Sequence, residues 1–231
     1  MLPIAGDGIR FVEEGYEIPK PLIKIEDDFL VQKSLHSVDL EECNLIFVVK
    51  KAHIENNQID SELKKLYGNE IKIIVANTKT GGALSSCLLA EDEINNDLPL
   101  LIFTPDCYFE PQIIPRNIDK NLDGLVCVFE SSSDAHSYVK LNKQNYVIQT
   151  AEKEVISNDA IGGFYYFKYG KLFVDYANKL IDKKLTTKGE YYIAPVYNLL
   201  IDEGYKVGID RNTKHIILGT PGDLERYLNE S

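Results

Sequence analysis

The sequence predicts an α/β chain built on an open parallel sheet. Three observations predict it: apolar runs recurring along the chain, helix-compatible polar stretches between them, and a length that suits one large domain. Asn44-Leu45-Ile46-Phe47-Val48-Val49, Ile71-Lys72-Ile73-Ile74-Val75 and Leu98-Pro99-Leu100-Leu101-Ile102-Phe103 are nearly continuous in apolar residues, as strands covered on both faces are. Between them Gln58 to Tyr67 and Gly82 to Ala90 have helical spacing, the second weakened by Ser85 and Ser86. Strand, helix, strand, helix, strand is the pattern of a parallel sheet with helices on its faces. Further strands are expected at 124–129, 138–141, 146–149 and 163–167, with a turn at Asn142-Lys143-Gln144-Asn145. Helices follow at 172–183 and 193–203, then a strand near 206–209 and a helix from Pro221 to Leu228. With no linker and no internal repeat, residues 1–231 are read as a single domain.

Composition narrows the partners. The 231 residues carry 25 Lys+Arg against 36 Asp+Glu, a net charge of −11, with 44% hydrophobic residues, which excludes a long disordered chain. Such acidity argues against nucleic acid or an anionic membrane as a sequence-independent partner, because both require a positive face. No apolar stretch approaches the roughly 18 residues that cross a bilayer, and no basic-then-apolar secretion signal opens the chain, so a cytoplasmic protein is expected. Cys43, Cys87, Cys107 and Cys127 stand far apart without ligand spacing, as buried thiols in a reducing compartment do. An anionic small molecule remains a suitable partner, held by a few cations, by backbone N–H groups, or through a divalent metal on carboxylates.

Three places carry more specific chemistry. In Pro3-Ile4-Ala5-Gly6-Asp7-Gly8-Ile9-Arg10-Phe11, followed by Pro19-Lys20-Pro21-Leu22-Ile23, two glycines let backbone N–H groups approach a phosphate. Arg10 and Lys20 add a guanidinium fork and a point charge. Read alone, the same residues also describe a tight turn with two solvated cations. In Leu100-Leu101-Ile102-Phe103-Thr104-Pro105-Asp106, a carboxylate just past a buried strand lies where open α/β sheets bind ligands, and Asp106 there can hold Mg²⁺ or cap the following turn. The third place comprises Glu152-Lys153, Gly162-Gly163 and Glu190-Tyr191-Tyr192: paired glycines admit close approach, and Glu and Lys can grip hydroxyls and a phosphate or form a solvated surface.

Taken together, the order and spacing of these segments resemble the nucleotidyltransferases that activate sugar phosphates, the nucleoside-diphosphate-sugar pyrophosphorylases. The likeness is to a short subgroup linked to capsule and surface-polysaccharide synthesis. That subgroup's opening, P-M-A-G-x-G-x-R-F and then G-Y-x-x-P-K-P-L-I, stands here as Pro3 to Phe11 and Gly15-Tyr16-Glu17-Ile18-Pro19-Lys20-Pro21-Leu22-Ile23. Similarity continues through Thr80-Gly81-Gly82-Ala83, the strand ending at Asp106, Glu152-Lys153, Ala160 to Phe167, Glu190-Tyr191-Tyr192 with Pro195-Val196-Tyr197-Asn198, and Gly219-Thr220-Pro221-Gly222-Asp223-Leu224. It spans nearly the whole chain.

The resemblance implies a Rossmann-like domain with a mixed, mostly parallel central sheet. It also implies a reaction joining a nucleoside triphosphate to a phosphorylated acceptor, foremost a sugar phosphate, with release of pyrophosphate. On that basis Ala5, Gly6, Asp7 and Gly8 would cradle the triphosphate, Arg10 would stabilise charge on the pyrophosphate, and Lys20 would contact the α-phosphate or the attacking phosphate. Asn77, Gly81 and Gly82 would hold the base, with Gly82 giving it room against the backbone. Asp106 would bind Mg²⁺. Glu152, Gly163 and Glu190 would face the acceptor and Lys153 would take its phosphate.

Several positions depart from the pattern. Ile217 stands where many relatives carry a second metal-binding Asp; Asp210 or Asp223 would have to substitute, and Asp223 also reads as a helix cap. Asp7 puts a negative charge inside the loop. The opening strand is reduced to Met1-Leu2-Pro3-Ile4, as a start placed too far downstream or a truncation would leave it, and a frayed central strand is the expected effect. Two other classes stay open: a glycosyltransferase of the related GT-A type fold, which would carry a D-x-D motif that Asp106-Cys107-Tyr108 breaks, and a non-catalytic nucleotide or sugar-nucleotide binder. The base, the acceptor and the oligomeric state are left open.

Overall fold

A computed structural model of the chain describes residues 1–211 and 214–230. In chain order the elements are β1 (Leu2–Pro3), α1 (Ile9–Glu13), a 3-10 turn (Lys20–Leu22), β2 (Lys24–Ile25), β3 (Asp28–Phe29), α2 (Leu30–Leu35), β4 (Ile46–Lys50), α3 (Lys51–Asn57), α4 (Ile59–Tyr67) and β5 (Lys72–Ala76). Then come α5 (Ala83–Leu88), α6 (Glu91–Ile94), β6 (Leu100–Phe103), β7 (Cys107–Glu110), a 3-10 turn (Pro115–Asn117), β8 (Gly124–Glu130), β9 (Ser137–Leu141), β10 (Val147–Glu152) and β11 (Asp159–Phe167). The last are α7 (Gly170–Asp182), α8 (Val196–Asp202), β12 (Val207–Arg211), β13 (Lys214–Ile217) and α9 (Pro221–Glu230). The chain is of the α/β class, with both parallel and antiparallel pairing. It divides into two compact units: Met1–Lys79 with Thr104–Arg116 and Thr213–Ser231, and Thr80–Phe103 with Asn117–Asn212.

The first unit holds the parallel sheet β1-β4-β5. Ile46, Phe47, Val48 and Val49 are all buried because β4 is central, which explains its unbroken apolar run. Beside it β5 leaves Val75 exposed. Leu2 and Pro3 pair with Phe47 and Val48, Ile4 N–H donates to Val48 O at 2.9 Å, and Met1, Leu2 and Ile4 are buried. Pairing is therefore present where the short opening strand predicts fraying. On α4, Ile59 and Leu63 one turn apart face the core, while Asp60 and Glu62 in the first turn and Lys64 and Lys65 in the last complement the helix dipole. A separate apolar cluster of Phe11, Ile23, Ile25, Leu30, Leu218 and Leu224 joins α1, β2, α2 and α9.

The second unit is organised around β11, which pairs antiparallel with β8, β9 and β6, while β12 runs parallel to β8. The sequence predicts β6 as the third strand of the parallel run; instead it lies antiparallel to β11, with Phe164 opposite Phe103. An apolar run signals burial but not the direction of its neighbour, and β11, buried along most of its nine residues, offers pairing on both edges. Tyr197 from α8 is fully buried with its ring stacked on Phe167, centroids 4.7 Å apart, and its hydroxyl donates to Tyr166 O at 2.9 Å. Gly124 makes room for that ring, since a Cβ there would stand 2.6 Å from Tyr197 Cε1.

At the end of the described strand order, β10 is blunted by a side chain. Asn198 Oδ1 accepts from Thr150 N–H at 2.7 Å and its Nδ2 donates to Thr150 O at 2.9 Å, so the amide takes the place of a neighbouring strand. Replacing Asn198 with Ala strands both backbone groups and is expected to cost about 1–3 kcal/mol in denaturant unfolding. An unchanged unfolding midpoint would contradict this role.

Candidate active site

The glycine loop begins where β1 ends and closes on α1. Gly8 sits at φ +60, in the left-handed region, and its carbonyl accepts from Phe11 N–H at 2.8 Å and Val12 N–H at 3.2 Å. Phe11, 1% exposed, anchors the loop in the apolar cluster. Arg10 beside it is exposed and forms no ion pair among the described residues. Gly6 is not needed by the protein's own packing, because a Cβ built there meets no atom within 4 Å. The open space suits close approach by a ligand.

The charge of Asp7 is neutralised locally. Lys50 Nζ donates to Asp7 Oδ1, and Lys79 Nζ lies 3.8 Å from Oδ2. The hydrogen bond from Lys50 holds the Asp7 carboxyl below its ordinary value, against the opposing effect of burial. His53 lies in the same electrostatic neighbourhood, its own pKa lowered first by burial and then by Lys50. Lys50 was not singled out from the sequence. It directly follows the apolar run Asn44 to Val49 and ends β4, whereas Asp106 stands three residues past the run that ends at Phe103.

Lys20 and Asp106, 86 positions apart, form an ion pair at 2.7 Å, with Lys20 15% and Asp106 59% exposed. Lys20 Nζ also donates to Gly219 O at 3.3 Å, lies 5.5 Å from the Phe11 ring centroid, and its Cβ is 3.5 Å from a Cβ built on Gly8. The local cause is the Pro19-Lys20-Pro21-Leu22 turn, in which Leu22 N–H donates to Pro19 O at 2.8 Å while Pro21, Leu22 and Ile23 are buried. Asp106 is fixed through its backbone: its carbonyl accepts from Leu218 N–H at 2.6 Å. Thus the loop, Lys20, Asp106 and the segment at Gly219 converge in the first unit.

Ile217 pairs with Cys107 across β13 and β7, next to Asp106 in the ladder. Among the described residues no group of three or more His, Cys, Asp or Glu is placed to hold a metal. Asp106 alone can serve Mg²⁺ that draws its remaining ligands from phosphate oxygens and water. Asp223 is engaged elsewhere: it accepts from Thr220 Oγ1 at 2.6 Å while its own N–H donates to Thr220 Oγ1 at 3.1 Å. Thr220 is the residue that caps α9, and Asp223 stands three positions inside it. Asp210 lies on β12, opposite Cys127.

In the second unit the Gly81-Gly82 turn and the Glu190-Tyr191-Tyr192 segment are locked together. Tyr191 N–H donates to Gly81 O at 2.8 Å, and Leu84 N–H donates to Tyr191 O at 3.2 Å. Gly82 has φ +123, and a Cβ there would fall 2.4 Å from Tyr191 O. The room expected for a base is thus filled by the Tyr191 backbone, which is what requires glycine at this position. Asn77 is exposed after β5, in the first unit. Gly163, φ +76, sits at a register shift between Ile161 and Tyr165, so a bulge accounts for the paired glycines.

Three of the residues expected to face an acceptor make the following contacts. Lys153 Nζ donates to Tyr192 OH at 2.5 Å, and Tyr192 OH donates to Glu190 Oε2 at 2.9 Å. Glu152 accepts from Ser137 Oγ, and burial raises its carboxyl pKa. Tyr192, unassigned by the sequence although it lies in a quoted segment, connects two predicted residues. Burial, followed by the Glu190 hydrogen bond, raises its phenol pKa. Three of the four thiols, Cys87, Cys107 and Cys127, are buried, none of the four is in a disulfide, and burial pushes Cys87 up to about 12.

The architecture defines an α/β chain with mixed strand pairing. No family model matches it, and no curated protein matches it in sequence. Solved structures do. A nucleoside-diphosphate-sugar pyrophosphorylase from Vibrio cholerae RC9 superposes with a TM-score of 0.87 at 24% identity, covering 99% of this chain and 98% of that one. A UDP-glucose pyrophosphorylase complexed with UDP-glucose gives 0.77 at 16% identity, over 99% and 96%. The inositol-1-phosphate CTP transferase from T. maritima gives 0.72 at 16% identity, over 100% and 95%. This chain therefore has the fold of the sugar-nucleotide pyrophosphorylases. Among the described residues no helix is long and apolar enough to cross a membrane.

The Asp7 pair has a checkable pH signature. Because the folded carboxyl titrates below its ordinary value of 3.8, its contribution is present above that value and is lost as pH falls through the folded pKa. For a pair this exposed the contribution is about 0–1 kcal/mol. An NMR titration of Asp7 is expected to give a midpoint below 3.8 that rises in Lys50→Met; identical midpoints in the two proteins would refute the pairing.

Proposed function

We propose that this chain is a nucleotidyltransferase joining a nucleoside triphosphate to a phosphorylated acceptor, foremost a sugar phosphate, and releasing pyrophosphate. Its product would be a precursor for surface-polysaccharide synthesis, made in the reducing cytoplasm that suits four cysteines outside any disulfide, with residues 1–231 acting as one nucleotidyltransferase domain. The observation that carries this reading is the convergence of the open Gly6 loop, Lys20 and Asp106 in the first unit. The fold, shared over 99% of the chain with a nucleoside-diphosphate-sugar pyrophosphorylase, supports it.

In this reading an oxygen of the acceptor's phosphate attacks the α-phosphorus, and the bond to the pyrophosphate leaving group breaks in line. No protein nucleophile is needed; the chain positions the reactants and stabilises charge. Backbone N–H groups of Ala5 to Gly8 cradle the phosphates, and the unpaired Arg10 takes the charge developing on pyrophosphate. Lys20 exchanges its contact with Asp106 for a phosphate oxygen. Asp106 would hold Mg²⁺, which would supply Lewis-acid stabilisation of the phosphates. Asn77 and Gly81 contact the base, with Gly82 supporting through Tyr191. Glu152, Lys153 and Glu190 bind the acceptor, and Gly163 shapes the strand beneath it.

Ile217 beside Cys107 favours one other reading, a nucleotide or sugar-nucleotide binder without turnover. A pyrophosphate-release assay separates the two, using each of the four triphosphates with a panel of phosphorylated sugars and small phosphorylated alcohols. Release that requires Mg²⁺ and a matching acceptor is expected; binding without release across the panel would select the binder, and transfer from a ready-made sugar nucleotide would select a glycosyltransferase. Removing the carboxylate in Asp106→Ala is expected to lower Mg²⁺-dependent turnover by about 10²-fold or more. The midpoint of melting should move by only a few degrees, since an exposed pair is worth about 0–1 kcal/mol. Lys20→Ala should lower kcat by about 10²–10³-fold, or roughly 3–4 kcal/mol. A change confined to nucleotide KM would instead show that Lys20 grips only the ground state.

A further inference from the structure

The second unit contains a hydrogen-bond chain whose donors and acceptors have only one consistent order. Lys153 has three N–H donors and no acceptor, so at 2.5 Å it must donate to the Tyr192 oxygen. The phenol has a single proton, which at 2.9 Å goes to Glu190 Oε2. One hydroxyl therefore joins the two side chains, accepting from Lys153 and donating to Glu190. The ammonium also lies 4.8 Å from the Tyr192 ring centroid, which adds attraction from the ring face.

The backbone makes this arrangement rigid at both ends. Lys153 takes φ +57, a left-handed conformation uncommon for a side-chain-bearing residue, and its N–H donates to His136 O at 2.9 Å. Glu190 is held by two backbone bonds with Thr187, each 3.0 Å. Tyr192 follows Tyr191, itself bonded to Gly81. Burial and the Glu190 contact raise the phenol pKa, so the bridging proton stays in place at neutral pH.

We propose that Tyr192 is a positioning residue for the acceptor, presetting Lys153 for its phosphate and Glu190 for a hydroxyl on the same molecule. The inference rests on the proposed nucleotidyl transfer and adds to it a residue and a requirement on the acceptor: phosphate and hydroxyl must both be present. Lys153 keeps two further N–H donors for phosphate oxygens, and the second oxygen of Glu190 accepts from the hydroxyl. Without the phenol oxygen, both side chains would have to be ordered at the moment of binding.

The test compares wild type, Tyr192→Phe, Lys153→Ala and the double variant. Steady-state kinetics would use the panel acceptor that gives the fastest pyrophosphate release, and calorimetry would measure binding of that compound and of inorganic phosphate. Tyr192→Phe keeps the ring and is expected to raise acceptor KM about tenfold, with nucleotide KM and kcat at saturating acceptor within about twofold. In the Lys153→Ala background the same substitution should add clearly less than its effect in wild type, because the part that passes through Lys153 is already lost and only the part through Glu190 remains. Unchanged acceptor affinity, an equal loss for nucleotide and acceptor, or a full additive loss in the Lys153→Ala background would overturn the positioning role while leaving the transfer reaction standing. A wild type that neither releases pyrophosphate nor binds any of these phosphates would overturn both.

Discussion

Much of the chemistry proposed for this chain depends on one contact, the Lys20 ammonium against the Asp106 carboxylate at 2.7 Å. It draws together segments far apart in sequence, since the same ammonium reaches Gly219 O and lies against Phe11, which anchors the glycine loop. A lysine 15% exposed is partly desolvated, and it needs an anion nearby. In the free chain Asp106 supplies one. In the proposed reaction a phosphate would compete for the lysine, and the more exposed carboxylate would be released for a cation. In that proposal the pair would keep two oppositely charged groups organised for a polyanion and its metal.

Asp7 shows the same logic on a smaller scale. A carboxylate in the loop proposed to bind phosphate would repel that ligand if left alone, but Lys50 and Lys79 lie against it. Lys50 ends β4 and Lys79 stands three residues past β5, so the ends of the parallel strands supply the compensation. In the second unit, the charges of Lys153 and Glu190 are similarly joined through Tyr192. Lys20, Asp7 and Lys153 thus each have a partner of opposite charge, directly or through Tyr192, in a chain of net charge −11.

The sequence was most legible where burial acts on consecutive residues. Ile46 to Val49 announces a central strand because both faces are covered, and Ile59 with Leu63 announces a one-sided helix. Pairing direction was less legible: β6 looks like β4 in composition yet runs antiparallel to β11. Short strands such as β7 and β13 escaped because Tyr108, Glu110, Lys214 and His215 interrupt their apolar residues. Within the site, glycine was informative but ambiguous. Gly6 has open space before it, whereas Gly82 is required by the Tyr191 backbone and Gly163 by a bulge. Lys50 and Tyr192 were hidden because their importance comes from partners at 43 and 39 positions' distance, beyond any local motif.

The most direct measurement is a crystal structure of the chain with a non-hydrolysable nucleoside triphosphate and Mg²⁺. The account predicts phosphate density against the backbone of Ala5 to Gly8, Arg10 turned onto the terminal phosphates, and Lys20 released from Asp106 to a phosphate oxygen with the metal at the carboxylate. An empty glycine loop, with Arg10 and Lys20 directed away from the nucleotide and the Lys20 to Asp106 contact intact, would contradict it.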